Sequence, residues 1–228
     1  MPVRRIIPHP MTYGRVLEPE EMDTAEEAVA YDGCDHRAVN AAFVTDALAL
    51  SPTPRRILDV GTGTGLIAII LATRCSMATI TAIDLAGHML DVAAANVTRA
   101  ALGRRIALVR VDAKGLPYRP GDFDLIVSNS VVHHVPDPRR MFAEIARIAG
   151  DRASVFVRDL CRPLSEADQS ALVAKYAAHE SERSRELFRA SLHAAITVDE
   201  ATSMAAEAGL RGVTVRMTSD RHWTLARG

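Results

Sequence analysis

The 228-residue sequence is poor in aromatics, at 4%, and holds one tryptophan, three cysteines and two lysines, Lys114 and Lys175. Cys34, Cys75 and Cys161 are odd in number and far apart. They make neither a disulfide framework nor a zinc motif, and read as buried thiols of a reducing cytoplasm. Basic residues number 27 and acidic residues 28, for a net charge of −1. That balance removes the overall positive charge through which proteins hold nucleic acid. No run approaches the ~18 apolar residues of a membrane span. Met1–Pro10 carries Arg4 and Arg5 without the apolar segment of a signal peptide. The expectation is a cytoplasmic protein with no membrane and no nucleic-acid partner. The preference for arginine over lysine reads as a genomic composition bias.

What is present is an ordinary globular composition, 48% hydrophobic and 24% charged, in a length that suits one domain. Four prolines (Pro2, Pro8, Pro10 and Pro19) make 1–19 an extended arm, and alanine-rich stretches over 20–32 and 36–50 read as helices. Ser51-Pro52-Thr53-Pro54 breaks the chain. Short apolar runs at 57–60, 79–83, 106–111, 123–128 and 154–158 then alternate with helical patterns. Asp137-Pro138 is a helix start, with Met141, Phe142, Ile145, Ile148 and Ala149 on its buried face. Residues 165–208 read as helical, with capping-box spacing at Ser165/Asp168 and Thr197/Glu200. Strands at 213–217 and 222–226 flank a turn at Ser219-Asp220 that is too short for a parallel crossover, so the last strand is antiparallel. The pattern predicts a doubly wound, Rossmann-like α/β sheet of seven strands covered on both faces. Residues 1–50 form an N-terminal arm and helical cap, and 51–228 a ligand-binding domain, in one compact unit.

The sharpest motif is Asp59-Val60-Gly61-Thr62-Gly63-Thr64-Gly65, a glycine loop between a strand and a helix. A nucleoside-triphosphatase loop needs Gly-Lys-Ser/Thr, and Leu66-Ile67 stands there instead. A dinucleotide fingerprint needs its third glycine at position 66, one past Gly65. A nucleoside ligand without a pyrophosphate remains. Asp84, 19 residues past Gly65, suits a ribose diol; Asp59 can brace the loop through its backbone amides; Asp112, with the Ala113 amide, suits an adenine ring.

Together with Ile83-Asp84-Leu85, Val111-Asp112-Ala113 and Phe123–Ser130, this loop resembles the class I S-adenosylmethionine-dependent methyltransferases of small-molecule type, over roughly 55–160. The resemblance implies S-adenosyl-L-methionine as cofactor. Gly61 and Gly63 would lie against its methionine part, Asp84 on the ribose, and Leu85 and Met89 beside the adenine. Asp112 and Ala113 would bind the adenine, with Asn129 under the sulfonium. Ala149-Gly150-Asp151-Arg152 departs from the family's "PGG" turn, away from the cofactor.

The acceptor, a small molecule, belongs beyond the carboxyl ends of the strands. Asn129, Ser130, His133, His134, Arg158 and Asp159 are candidates there, joined by Tyr31, Asp35, His36 and Asn40 from the cap, and by Arg221, His222 and Trp223. His133 and then His36 are the candidate catalytic bases, because imidazole titrates near neutral pH. His134 matches a histidine that commonly braces this place in the family. Asp159 either orients a histidine or pairs with Arg158. No metal site is expected, since adjacent histidines project apart and no close-spaced ligand motif exists. No "NPPY"-like segment for a flipped base follows the fourth strand. The charged stretch 165–195 reads as a solvated face, with a lid or a homodimer surface as its alternative. Two other readings stay open: a non-catalytic cofactor-binding partner subunit, and a nicotinamide-dependent oxidoreductase.

Overall fold

The computed structural model describes residues 13–18 and 24–228. The expected arm therefore lies largely outside the described residues, as do the first four positions of the helix expected over 20–32. In the rest, α1 (Ala25–Asp32) and α2 (Arg37–Leu50) precede β1 (Arg56–Val60), α3 (Leu66–Arg74), β2 (Thr79–Asp84) and α4 (Gly87–Arg99). Next come β3 (Ile106–Arg110), β4 (Leu125–Asn129), a 3-10 turn (Val132–His134), α5 (Pro138–Ala149) and β5 (Ser154–Leu160). The chain continues through α6 (Glu166–Tyr176), α7 (Glu182–Ala194) and α8 (Val198–Glu207), then β6 (Thr214–Met217) and β7 (His222–Arg227).

The seven strands form one sheet in the order β3-β2-β1-β4-β5-β7-β6. The first five are parallel, and β7 pairs antiparallel with both β5 and β6. Successive strand residues face opposite ways, so each strand feeds two cores. Leu58, Val60, Ile126, Val155 and Val157 pack with Met141, Phe142, Ile145 and Ile148 of α5 and with α8. Ile57, Ile80, Leu125, Val127 and Phe156 pack with Phe43, Val44 and Ala47 of α2 and with α3. Thus α2 covers one face of the sheet, while α1 packs on α4 through Ala28 and Met89. Leu160, Val173, Ala177, Leu192 and Ala195 form a smaller core under α6 and α7.

The start signals work as their chemistry dictates. Asp137 accepts the Arg139 amide with Pro138 in the first turn, Ser165 accepts the Asp168 amide, and Thr197 with Glu200 closes a reciprocal capping box. Several details differ from expectation. The helical stretch 165–208 is three helices. Phe123 and Asp124 precede β4, because the Asp124 carboxylate turns back to accept the Arg55 and Arg56 amides, both at 2.9 Å. The cysteines are free thiols, but Cys34 is exposed and the other two half-buried.

Candidate functional site

The glycine loop leaves β1 at the switch point of the sheet, where β2 lies on one side and β4 on the other. The Gly61 and Thr62 amides both donate to the Ile83 carbonyl, at 2.9 and 2.8 Å. That explains why Asp59, buried beneath the loop, accepts the Thr62 hydroxyl at 2.7 Å instead of the expected backbone amides. Burial pushes the Asp59 carboxyl up to about 7, with the Thr62 bond opposing and the Asp84 charge adding to the rise. Buried Asn96 of α4 donates to the Thr64 carbonyl at 3.0 Å and to Asp32 at 2.8 Å, fixing the loop from outside.

The two glycines named from sequence do different work. A Cβ on Gly61 would stand 2.1 Å from Val131 Cγ2, so this glycine admits the turn after β4. A Cβ on Gly63 would meet only Tyr31 Cε1, at 3.9 Å, so its bare face is left to the cavity. Both have positive φ, +71° and +54°.

One cavity, open to solvent, gathers Gly61, Gly63, Asp84, Leu85, Met89, Asp112, Ala113 and Asn129. Tyr31 and Asn40 of the N-terminal helices also line it, as do Thr62, Thr64, Lys114, Ser130 and His134. Asp84 Oδ2 accepts the Gly63 amide at 2.7 Å and Oδ1 the Ala86 amide at 3.0 Å. Burial raises the Asp84 carboxyl above its ordinary range against those amide bonds. Asp112 Oδ1 accepts the Lys114 amide at 2.8 Å and lies 3.2 Å from its Nζ. A carboxylate has about four lone-pair sites, so both acids keep acceptor capacity for hydroxyl or amino groups. The Thr64 hydroxyl is buried without a hydrogen-bond partner among the described residues. Two acceptors at adjacent strand ends, an open glycine and an orphaned hydroxyl fit a nucleoside carrying a small polar tail.

Beyond β4 the chain turns sharply at Ser130, at φ +57°. The Val131 and Val132 amides then both donate to Asp159 Oδ2, at 2.7 and 2.6 Å, and Asp159 Oδ1 accepts the Leu160 amide at 2.7 Å. His133 Nδ1 lies 2.6 Å from Asp159 Oδ1. Burial opposes charge on both partners, but their mutual attraction outweighs it: Asp159 is held below the usual carboxylate range and His133 above the usual imidazole range. Asp159 thus orients a histidine and does not pair with Arg158. That arginine donates instead to Asp46 at 2.7 Å and to Thr224 at 2.9 Å.

Of the candidate bases, buried His133 faces Asp159 and is not part of the cavity lining, whereas its neighbour His134 is. The two imidazoles do not project apart; their centroids are 4.1 Å from each other, because the 3-10 turn curls them together. His36 precedes α2 without a side-chain capping bond, its ring stacked on Tyr31 and Nε2 3.1 Å from the Tyr31 carbonyl, outside the lining. Asp35 pairs with exposed Arg37, and of Asp35, His36 and Asn40 the last lines the cavity. Arg221 lies over the Tyr176 ring, His222 bonds Ser219 and Trp223 is core. The sequence reading missed Glu18, whose Oε1 lies 3.0 Å from His134 Nδ1 and 3.7 Å from His133 Nε2. A lone acid in an irregular, proline-flanked segment carries no pattern that could have singled it out.

Residues 58–157 match the family model described as a methyltransferase domain. A malonyl-[acyl-carrier protein] O-methyltransferase of Geobacter sulfurreducens is 37% identical over 163 residues, 71% of this chain and 58% of that protein. A tRNA1(Val) (adenine(37)-N6)-methyltransferase of Bacteroides fragilis is 37% identical over 103 residues, covering 44% of this chain and 43% of the relative. The chain therefore spans about half the length of these curated relatives. Among solved structures, a SAM-dependent methyltransferase from Aquifex aeolicus shares the fold with a TM-score of 0.64 and 15% identity, covering 89% of this chain and 97% of that one. Haemonchus contortus phosphoethanolamine N-methyltransferase 2, in complex with S-adenosyl-L-methionine, has a TM-score of 0.66 and 20% identity over 86% of this chain and 44% of that one. With the glycine loop and the acids at the ends of β2 and β3 in place around one cavity, residues 58–157 form a methyltransferase domain of the class I S-adenosylmethionine-dependent type.

Proposed function

We propose that this chain is a cytoplasmic enzyme that methylates a small molecule by in-line transfer from S-adenosylmethionine. The observation that carries the reading is the single cavity in which Gly63, Asp84 and Asp112 meet Asn129 and His134. When bound, S-adenosylmethionine supplies an electrophilic methyl group on a good leaving group. Asp84 and Asp112 hold the nucleoside, and Gly63 leaves room for the tail. Tyr31 and Asn40 wall the cavity on its N-terminal side, where they would shield a bound cofactor. His134 presents an imidazole to the acceptor's side. His133 acts from behind, locked by Asp159, and His36 steadies Tyr31. A net charge of −1 supports a small acceptor over RNA, and no helix among the described residues is long and apolar enough to cross a membrane.

The test is calorimetric titration with S-adenosylmethionine, S-adenosylhomocysteine and NAD, followed by transfer of a labelled methyl group into a small-molecule extract, bulk tRNA or a malonyl thioester. Binding of the first two ligands with label in the small-molecule fraction is the expected result. Label in tRNA would move the acceptor to nucleic acid. Binding without transfer into any fraction supports the partner-subunit reading, and binding of NAD alone the oxidoreductase.

A further inference from the structure

We propose that Glu18, His133 and His134 form a binding site for one divalent transition-metal ion of the zinc class, at the acceptor end of the cavity. The three side chains each offer one ligand atom, and these atoms all lie within 4.8 Å of one another. The Glu18 carboxylate oxygen is 3.0 Å from His134 Nδ1 and 3.7 Å from His133 Nε2. Ligands about 2.0–2.2 Å from a common zinc ion are separated by roughly these distances.

Two further observations point to a ligand. Glu18 Oε1 and His134 Nδ1 are buried and stand 3.0 Å apart as a charge contact, yet among the described residues neither has a partner within hydrogen-bond geometry. The Glu18 side chain is only 9% exposed. Buried polar atoms are ordinarily satisfied, and an ion between them would satisfy both. In addition, Asp159 takes the Nδ1 side of His133, and three backbone amides fix that carboxylate in turn. The arrangement leaves His133 Nε2 aimed at Glu18, as in metal sites where a carboxylate orients a ligating histidine.

The surrounding charge suits a cation. Arg15 is the opposing group: its guanidinium donates to the His133 and Val135 carbonyls, at 3.2 and 2.9 Å. Glu18 and Asp159 together outweigh it. Two imidazoles and one carboxylate suit zinc, cobalt or iron(II) and are a poor set for calcium or magnesium. Three protein ligands leave coordination positions open, and His134 also lines the cavity. An acceptor hydroxyl or thiol bound there would lose its proton more readily.

The experiment uses the full chain after chelation and dialysis, titrated with cobalt(II) alone and read by visible absorption and by metal content. One equivalent bound, with ligand-field bands that zinc abolishes, is expected. Glu18→Gln and His134→Ala should weaken binding at least tenfold. Asp159→Asn should weaken it 10–100-fold, the usual cost of losing such an orienting partner. Glu18 lies outside every helix and strand, so its variant tests the site even where His133 or Asp159 variants fail to fold. No stoichiometric binding, or binding unchanged in Glu18→Gln and His134→Ala, overturns the proposal. Metal binding is read without S-adenosylmethionine, and cofactor titration of Glu18→Gln is run separately, so failure of one reading leaves the other intact.

Discussion

Asp84 closes the glycine loop on itself: its Oδ2 accepts the Gly63 amide at 2.7 Å while its Oδ1 caps the start of α4 through Ala86. One carboxylate thus shapes the loop and lines the cavity. Replacing it with alanine should abolish S-adenosylmethionine binding and also speed hydrogen exchange at Gly63. Asp84→Asn keeps one acceptor oxygen, so it should retain more of the loop's protection while still losing at least tenfold in affinity, about 1.4 kcal/mol. Calorimetry beside hydrogen exchange separates the two contributions. Equal affinity in wild type and Asp84→Asn would remove this residue from ligand binding.

Gly61→Ala and Gly63→Ala should fail in different ways. The first drives a methyl group into Val131 and strains a positive φ, so it should cost about 2–5 kcal/mol of stability in denaturant titration. Val131→Ala in the same chain should restore part of that loss. The second meets no close neighbour and should cost only about 1 kcal/mol from φ, but it fills the cradle and should weaken the cofactor. Equal destabilisation by both would refute the division of labour.

Asp59 and His222 should give the stability of the ligand-free protein opposing pH slopes. Asp59 is raised to about 7 by burial, so between about 4 and 7 the native state keeps a proton that the unfolded state releases. Its contribution is lost as pH rises through that window. His222 is lowered to about 4, chiefly by burial and then by Arg221. Between about 4 and 6.5 the unfolded state takes a proton that the native state refuses, so its contribution is lost as pH falls. Relative to wild type, Asp59→Asn should gain stability from pH 4 to pH 7, and His222→Asn should gain it from pH 6.5 down to pH 4. Urea midpoints across that range would show both, and parallel curves for wild type and variants would contradict them.

Arg15 pins the segment that carries Glu18. Its guanidinium donates to the carbonyls of His133, Val135, Pro136 and Ala194. Arg15→Ala should release residues 13–18, seen as faster exchange of the Val16 amide that otherwise donates to the His193 carbonyl at 3.2 Å. Unchanged protection at Val16 would assign the anchoring to Tyr13, which bonds Gln169 and stacks on His193.

The order of strands and helices was legible because local physics announces each element. Alternating apolar runs, the Asp137-Pro138 start and the Thr197/Glu200 box act over a few residues, and the structure uses each of them. The meeting of Asp84 and Asp112 in one cavity was legible for a related reason: both sit at strand ends, and the sheet brings strand ends together. The arrangement of His133 and His134 was not, since it depends on a turn. Ser130 at positive φ and the 3-10 turn curl His133 toward Asp159 and leave His134 in the cavity, and no apolar periodicity encodes that curl. Asn96, reading as one position on an amphipathic helix, gave no hint that it spans from the Thr64 carbonyl to Asp32.

The placement of β7 between β5 and β6 imposes an order of events on folding. β6 precedes β7 in the chain, yet its only sheet neighbour is β7. While the chain is made, β6 has no edge to join until β7 has been synthesised, and the hairpin the two form must then dock on β5, more than sixty residues upstream. Closing that long loop is the slow kind of contact. An intermediate should therefore exist in which the five parallel strands are paired and the β5 edge is still bare. Such an edge is open to the matching strand of another copy, which makes the β7 region the place where a refolding mixture would first exchange strands between molecules.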